Sequence, residues 1–467
     1  MDSAGWLRVL LGLLGGAAAG WVTSLVADGW FLAAVVAVVA GTLVFAVLEW
    51  VQANRRGVLP AAAAVVIGAG AAIIARAALG SDYAGALLGV TAGVVAYAVA
   101  DFLWSRRVVA VRFAIAFVVF LVVAGLWIWA FGKFETGIDP DSYFSSVSVD
   151  SFALILAVSM LIAAVVFFAL EYLQTGQLAS LAGQFGTRTI VLMPAAIAIN
   201  IVLGATVANA IKLPIYLDSI GTILVGVVAG PIAGALTGFV GNLLWTYVIP
   251  APFQYGPAAA FAVVAAMIGI LAGLFGRLGA LRPRPNRSVP ELLAAAIVAI
   301  LVVGAMAWYA YDRFYAGPDP IPLFNPDQTD TLLVILGWVT VILVAATAVG
   351  FAALLVVRRD LTVAAVALAG VFTGALAALM SAPIAANVFG GITGSGVDFI
   401  VAAFRQAGSD IQSATLQQGL LVDPFDKMIS YFVVYLVVLA MATRFKARFP
   451  QGDRLIPDTE RTGEVSA

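Results

Sequence analysis

The segment "KLPIYLDSIGTILVGVVAGPIAGALTGFVGNLLWTYVIP", residues 212–250, decides the fold of this chain. It is apolar over most of its length, but it opens with Tyr216, Asp218 and Ser219. A helix that spans a membrane needs about 20 residues, so the segment is too long for one span and short for two. The way in which it folds determines the direction of every helix that follows it.

The composition of the chain is that of a membrane protein. Of its 467 residues, 63% are hydrophobic and only 10% are charged, which is about half the charged share of ordinary soluble proteins. Apolar runs of membrane-spanning length recur from end to end. Because backbone groups in lipid must be hydrogen-bonded within the protein, such long runs favour helices over barrel strands. The sequence therefore predicts an all-α polytopic membrane protein.

Several kinds of site are excluded by residues that the sequence lacks. It contains no cysteine and no histidine, which excludes disulfides, thiol nucleophiles, zinc sites of the usual kind and histidine base catalysis. The net charge of −1 gives no reason to expect a nucleic acid partner. No G-x-x-x-x-G-K-[ST] loop is present, so we do not expect the chain itself to bind ATP. We predict no catalytic residues, no metal site and no cofactor.

Apolar spans are predicted throughout the chain. Besides the segment at 212–250, they lie near 6–26, 30–52, 58–79, 83–104, 108–131, 150–173, 188–210, 257–277, 289–311, 331–357, 361–388 and 427–446.

The distribution of arginine and lysine orients these spans, because cytoplasmic loops carry an excess of both. With the N-terminus in the cytoplasm, the arginine pairs at 55–56 and 106–107 and Arg188 all fall on the cytoplasmic side. The loops between them, which are acidic or nearly neutral, fall outside. The first six spans therefore follow the charge rule.

The direction of the remaining spans depends on the segment at 217–248. If this segment is one helix, the arginine-rich loop at 277–287 lies outside, against the charge rule. If it turns at Gly230-Pro231 into two short helices, that loop and the basic positions at 358–359 and 444–448 are all cytoplasmic. Proline can begin a helix and disfavours helix at the residue before it. We therefore predict about 14 helices in the cell membrane, with both termini cytoplasmic.

Two such short helices cannot each cross a hydrocarbon core of about 30 Å upright. They have to lie inside a bundle, shielded by longer neighbours. Short or broken membrane helices usually line a solute cavity, since irregular backbone is tolerated only where protein or water covers it. A simple tight hairpin with structural glycines is the alternative interpretation.

The segment "LPIYLDSIGTILVGVVAGPIAGALTGFVGNLLW" resembles the first loop and the second and third helices of a known family. This family comprises the substrate-binding S components of energy-coupling factor (ECF) transporters, a type of ABC transporter. The stretches "GVFTGALAALMSAPIAANVFGGITGSGVDFI" and "LQQGLLVDPFDKMISYFVVYLVV" are similar to its last two helices, with a long extracellular loop between them. The resemblance covers residues 186–280 and 361–446.

The resemblance implies a six-helix bundle that captures a vitamin or related micronutrient from outside. Such a subunit takes part in transport without chemistry of its own, and its partners are a transmembrane T component and two ATPases. The family's first helix often carries A-x-x-x-A for docking on the T component, whereas "VLMPAAIAIN" in this chain has no clean match.

The resemblance also divides the chain. Residues 1–180 form a six-helix membrane domain of unknown role, and residues 181–450 form the S-component-like membrane domain. The latter contains a two-helix insertion at 289–358. Residues 451–467 are expected to be a disordered cytoplasmic tail.

Polar residues near the expected outer ends of the helices are candidates for substrate binding. Asp218 either contacts the solute or caps a helix, and Tyr216 either stacks on a flat ring or lies in the aromatic belt. Trp245 lies either in the aromatic belt or in the wall of a pocket. Asn209 is a better candidate than Asn200, because it is nearer the outer end.

The glycine-rich stretch at 390–396 is interpreted as a mobile lid, with an ordinary exposed loop as the alternative. Lys427 is expected at the entrance of the last helix, where it could meet an anionic group of the substrate. Asp423 or Asp426 is expected to cap that helix. The full set of substrate-binding candidates is Asn209, Tyr216, Asp218, Asn242, Trp245, Asn387, Thr393, Ser395, Asp398 and Lys427.

Other functions remain open at this point. A membrane enzyme acting on lipid-linked substrates would need a cluster of acids, with a metal or a base, at one membrane face. The acids expected outside are scattered, and histidine is absent. A stand-alone secondary transporter and a membrane scaffold are further alternatives. The sequence does not select a particular solute.

Overall fold

The computed structural model describes residues 149–211, 213, 215–284, 359–360, 362–406 and 408–457, together with isolated positions between 68 and 126 and at 342 and 349. The chain divides into two compact units, Met1–Phe113 and Ala114–Ala467, and the helices below belong to the second. The first four predicted spans, those of the insertion at 289–358, and most of the span at 108–131 lie outside the described residues.

The described part of the second unit is helical. We number its main helices in chain order: α1 Val149–Thr175, α2 Thr187–Gly204, α3 Ile220–Ala229, α4 Pro231–Tyr247, α5 Ala262–Arg277, α6 Thr362–Phe389, α7 Asp398–Gln406 and α8 Ile411–Ala440. A π-helical turn at Ala205–Ala210 continues α2, and a 3-10 turn at Gly256–Phe261 leads into α5. Short turns lie at Ala179–Ala182, Thr443–Lys446 and Gly452–Leu455.

Within the described residues, four helical stretches are long and apolar enough to cross a membrane. They are Ala157–Thr175, Thr187–Ala210, Gly256–Arg277 and Thr362–Phe389. Each coincides with a span predicted from hydropathy alone, and the prediction of a helical membrane protein is confirmed at this level. The total of about 14 helices depends on residues outside the described ones and stays a prediction.

The predicted break at Gly230-Pro231 is confirmed. Gly230 has φ 127°, a backbone conformation that residues with a side chain rarely adopt, and Pro231 begins α4. A Cβ atom on Gly234 would lie 2.6 Å from the Cα of Gly226, and one on Gly238 would lie 3.0 Å from Cγ2 of Thr222. These two pairs are symmetric about the turn, so α3 and α4 form an antiparallel hairpin.

Helix α5 packs against this hairpin through glycines. A Cβ atom on Gly269 would lie 2.2 Å from the carbonyl carbon of Gly234, and one on Gly273 would lie 2.2 Å from the nitrogen of Pro231. No side chain fits between backbones at these points. Small residues that allow such approach are a common basis of helix association in lipid, where van der Waals packing replaces the hydrophobic effect.

The two longest helices of the second half form another close pair. A Cβ atom on Gly370 of α6 would lie 2.3 Å from the Cα of Met428, and one on Gly374 would lie 2.4 Å from the Cα of Pro424. The residue numbers rise on one helix as they fall on the other, so α6 and α8 are antiparallel. Their contact brings the middle of α8 into the centre of the bundle.

One end of the bundle collects basic residues, and we call it the basic end. Here the hydroxyl of Thr362 donates to the carbonyl of Arg282, and the amide of Gln451 donates to the carbonyl of Val228 at 2.9 Å. The hairpin turn, the end of α5, the start of α6 and the stretch after α8 therefore lie together. The basic residues at this end include Arg277, Arg282, Arg284, Arg444, Lys446 and Arg448. This arrangement agrees with the charge argument for the hairpin, while its assignment to the cytoplasm stays a prediction.

The stretch after α8 departs from the sequence prediction. Residues 451–457 are packed against the basic end, where the side chains of Leu455 and Ile456 are buried. The Nε of Arg282 donates to the carbonyl of Arg454 at 3.0 Å. The prediction of disorder from residue 451 onward is therefore wrong for 451–457, because two apolar side chains in this polar stretch find a buried site. Residues 458–467 lie outside the described residues.

The start of the last helix also departs from the prediction. Helix α8 begins at Ile411, and Asp410 caps it by accepting hydrogen bonds from the amides of Gln412 at 2.9 Å and Ser413 at 3.1 Å. The prediction that Asp423 or Asp426 caps this helix is wrong. The first turns of α8 contain polar residues, which lower the local hydropathy. The sequence therefore predicts a long loop where the structure has a helix. The predicted loop also contains α7.

Candidate functional site

The connection between α2 and α3, described at residues 211, 213 and 215–219, enters the bundle instead of crossing its end. The amides of Tyr216 and Leu217 donate to Oδ1 of Asp426 at 3.1 and 2.7 Å. Asp426 lies fifteen residues after Ile411, which places it about 22 Å along α8 at 1.5 Å per residue. The loop has already passed below the end of α2 at this point, since a Cβ atom on Gly204 would lie 3.0 Å from Cβ of Asp218. Helix α3 then needs only ten residues to reach the hairpin turn. We call residues 211–219 the re-entrant loop.

The lowest part of the re-entrant loop has an uncommon backbone conformation. Leu217 has φ 53°, in the left-handed region that residues other than glycine seldom occupy. Such conformations persist where the surroundings determine them strongly, and they are frequent at ligand sites. Here the two hydrogen bonds to Asp426 fix the peptide groups on either side of Tyr216.

A buried lysine links α8 to this loop. The Nζ atom of Lys427 lies 2.5 Å from Oδ2 of Asp426 and 3.5 Å from Oδ1 of Asp218, and it lies 5.9 Å from the ring centroid of Tyr216. The side chains of Lys427 and Asp426 are 5% and 0% exposed, whereas that of Asp218 is 30% exposed. The structure thus places Lys427 against carboxylates of the chain itself, and Asp218 is the accessible member of the group.

Asp423 completes the charged group one turn earlier on α8. It is buried, it interacts electrostatically with Lys427, and it accepts a hydrogen bond from the hydroxyl of Ser381 on α6 at 3.4 Å. Three carboxyl groups therefore surround one lysine, at Asp218, Asp423 and Asp426. We call these four residues the charged cluster. It contains three carboxyl groups and one amine.

Aromatic rings lie beside the cluster. Trp245 is buried, and its Nε1 donates to the carbonyl of Phe253 at 2.8 Å. A Cβ atom on Gly204 would lie 2.3 Å from the Trp245 ring and 3.0 Å from Cβ of Asp218, so the absence of a side chain at Gly204 lets the indole and the aspartate sit side by side. The ring of Tyr255 packs on that of Trp245, with a centroid separation of 5.2 Å.

The glycine-rich loop between α6 and α7 lies against one of these rings, that of Tyr255. The Asp398 carboxylate accepts bonds from the amides of Thr393 at 3.1 Å and Gly394 at 2.6 Å, and from the Thr393 hydroxyl at 2.9 Å. Thr393 and Ser395 are buried and also interact with Tyr255. The amide of Gly396 donates to the carbonyl of Ala208, which ties the loop to the end of α2.

Three predicted site residues are in other surroundings. Asn387 is exposed on the last turn of α6, where its Oδ1 accepts a bond from Gln412 Nε2 at 2.6 Å. The side-chain amide of Asn242 donates to the carbonyl of Ala258 at 3.0 Å. Asn209 is half-buried on the π-helical turn that continues α2. Asn200, judged the weaker candidate, bonds to the amide of Gly221 and the hydroxyl of Thr222 and joins α2 to α3.

Seven of the ten predicted residues therefore lie around the charged cluster, the aromatic rings beside it or the adjoining glycine-rich loop. They are Tyr216, Asp218, Trp245, Thr393, Ser395, Asp398 and Lys427. Tyr255, and Asp423 and Asp426 as parts of the site, were missed. The sequence does carry a signal for Asp423 and Asp426, because an ionisable residue inside a membrane helix is by default a candidate functional residue. A predicted helix start at Lys427 hides this signal, because Asp423 and Asp426 then lie outside the helix.

Comparisons with known proteins give no match for this chain. No protein-family model matches the sequence, and the searches of curated proteins and of solved structures each give no significant match. Among the residues that the structure describes, no group of three or more potential ligands is arranged to hold a metal ion.

Proposed function

We propose that this chain is the substrate-specific capture subunit of an ECF-type ABC importer. In this role it binds a vitamin or related micronutrient from outside and passes it to a T component powered by two ATPases. The sequence resemblance at 186–280 and 361–446 names the family. The observation that carries the proposal is the re-entrant loop, which presents Tyr216 and Asp218 beside the buried Lys427.

The cost of the charged cluster supports a functional role. Taking an ion out of water costs several kcal/mol, and a buried ion pair regains that energy only with excellent geometry. An apolar bundle of this length has no structural need for four ionisable groups at its centre. Charged residues in such positions usually mark substrate or ion pathways. The exposure of Asp218 gives a solute access to one of these groups.

The charge balance of the cluster favours a solute with a cationic group. Lys427 already faces Asp426 and Asp218, so an anion would compete with two carboxylates for it. A cationic group would instead meet Asp218, the accessible carboxyl group of the cluster. The rings of Tyr216, Trp245 and Tyr255 lie close by, and aromatic faces stabilise organic cations by cation–π interaction.

A stand-alone secondary transporter is the second candidate. The specific observation in its favour is the series Asp423, Asp426 and Lys427 on one helix, since chains of ionisable groups inside a membrane bundle also form proton relays. In that case the titration of the cluster would drive movement of the solute without ATPases. A scaffold role would leave the cluster without a purpose.

Mass spectrometry of small molecules that co-purify with the protein tests the proposal. We expect one solute, with a cationic nitrogen, at a stoichiometry near one per chain in mild detergent. The Asp218→Asn variant should retain much less of it, while a Gly256→Ala variant serves as a control, because nothing lies within 4 Å of a Cβ atom at Gly256. Equal recovery of the solute from all three proteins would place its binding site elsewhere.

A further inference from the structure

We propose that Asp426 is a positioning residue, which holds the re-entrant loop inside the bundle and thereby sets where Tyr216 and Asp218 lie. The positioning itself is a property of the fold. Its consequence for solute capture rests on the function proposed above. The sequence predicts Asp426 only as a possible helix cap, and the structure contradicts this because α8 begins at Ile411.

The geometry gives each carboxylate oxygen of Asp426 a separate task. Oδ1 accepts both loop amides, those of Tyr216 and Leu217, and Oδ2 faces the Nζ of Lys427 at 2.5 Å. The side chain is 0% exposed, so water does not compete for these contacts. Hydrogen bonds with an ionised partner are roughly twice as strong as neutral ones. The contact with Lys427 and the two loop hydrogen bonds share one carboxyl group, so Asp426 and Lys427 act as one unit.

No other helix performs this task within the part of the chain that the structure describes. The hydrogen bonds that join the backbone of residues 215–218 to another helix are the two to Asp426. Ser219, the residue before α3, makes no side-chain cap, and its Oγ has no hydrogen-bond partner among the described residues. Leu217 also has to be held at φ 53°. Without Asp426 the loop loses both backbone hydrogen bonds to α8 and keeps the longer side-chain contact between Asp218 and Lys427 at 3.5 Å.

A cysteine-labelling experiment tests this role without any solute. The chain has no native cysteine, and Ser219 is 3% exposed, so Ser219→Cys gives a single thiol that is shielded while the loop stays in place. Its reaction with a charged maleimide should be slow. Adding Asp426→Ala should raise the labelling rate about tenfold or more, because two hydrogen bonds to a charged group are lost.

Two matched variants separate positioning from general destabilisation. Asp426→Asn combined with Lys427→Met keeps an oxygen that can accept the loop amides and avoids placing the amide N–H of asparagine against the Nζ of Lys427, so it should label nearly as slowly as the Ser219→Cys parent. Asp410→Ala removes the cap of the same helix far from the loop, and it should also leave labelling slow. Slow labelling of a folded Asp426→Ala protein would overturn the proposal. So would equally fast labelling of the Asp426→Asn and Asp426→Ala proteins when each also carries Lys427→Met.

A measurement on the unmodified protein covers the case in which Asp426→Ala does not fold. In hydrogen exchange resolved by residue, the amides of Tyr216 and Leu217 should exchange more slowly than the amide of Asp218. Equal exchange at the three positions would overturn the role of Asp426. Neither experiment uses a solute, so a failure here is distinct from failure to find a co-purifying solute.

Discussion

Replacement of Asp218 by asparagine separates a solute contact from a structural role. Its carboxylate lies 3.5 Å from Nζ of Lys427 and is 30% exposed, whereas Asp426 lies 2.5 Å from the same atom and is fully buried. Lys427 therefore keeps its main partner in the variant. An ion pair of this length and exposure contributes at most about 1 kcal/mol, so the melting temperature should fall by only a few degrees. The shape of the side chain is unchanged.

The effect of the same change on affinity should be larger. A hydrogen bond to a charged group contributes about 1.5–3 kcal/mol, which corresponds to a loss of roughly tenfold to more than a hundredfold in affinity. Isothermal titration with the co-purifying solute and thermal unfolding of the same preparations measure both quantities. Wild-type affinity in Asp218→Asn would refute the view that Asp218 contacts the solute. A lowered melting temperature with unchanged affinity would assign it a structural role.

Three further predictions follow from the fold. Leucine at Gly269 should force α5 away from the hairpin and lower thermal stability by about 1–3 kcal/mol or more, whereas alanine at Gly256 should leave it unchanged; equal melting temperatures for the two would contradict the packing described. The Ser413 hydroxyl and nearby amides lower the pKa of Asp410. The stability that Asp410 contributes to the fold should therefore be present at neutral pH and be lost as the pH falls through the lowered pKa. In thermal melts, an Asp410→Ala protein should lose less stability at acid pH than the wild type. Single cysteines at Asn387 and Arg448, both exposed and at opposite ends of the bundle, should react with an impermeant reagent from outside and inside, respectively, and labelling of both from outside intact cells would contradict the topology.

Local chemistry explains why much of the fold could be predicted. The break between α3 and α4 depends on Gly230 and Pro231 alone, whose backbone preferences are independent of the rest of the chain. The four candidate spans are continuous apolar runs, which hydropathy detects directly. The hairpin is also required if all the basic loops are to lie on one side of the membrane.

The centre of the site could not be predicted in the same way. Asp426 meets Tyr216 across 210 residues of sequence, and no local pattern announces such a contact. The early start of α8 was hidden because its first turns, "IQSATLQQ", are polar although they are helical. The site residues were found where the sequence places polar groups at the ends of apolar runs, and missed where a helix carries them at its middle.

The claim that this chain captures a solute for an ATP-driven importer is tested most directly by uptake into vesicles. Vesicles with this chain alone, and vesicles that also contain a T component and both ATPases, are supplied with the co-purifying solute on the outside and with ATP on the cytoplasmic side. We predict binding without accumulation for the chain alone, and accumulation with ATP in the complete assembly. Accumulation by the chain alone, driven by a proton gradient and independent of ATP, would contradict the proposal and establish a secondary transporter.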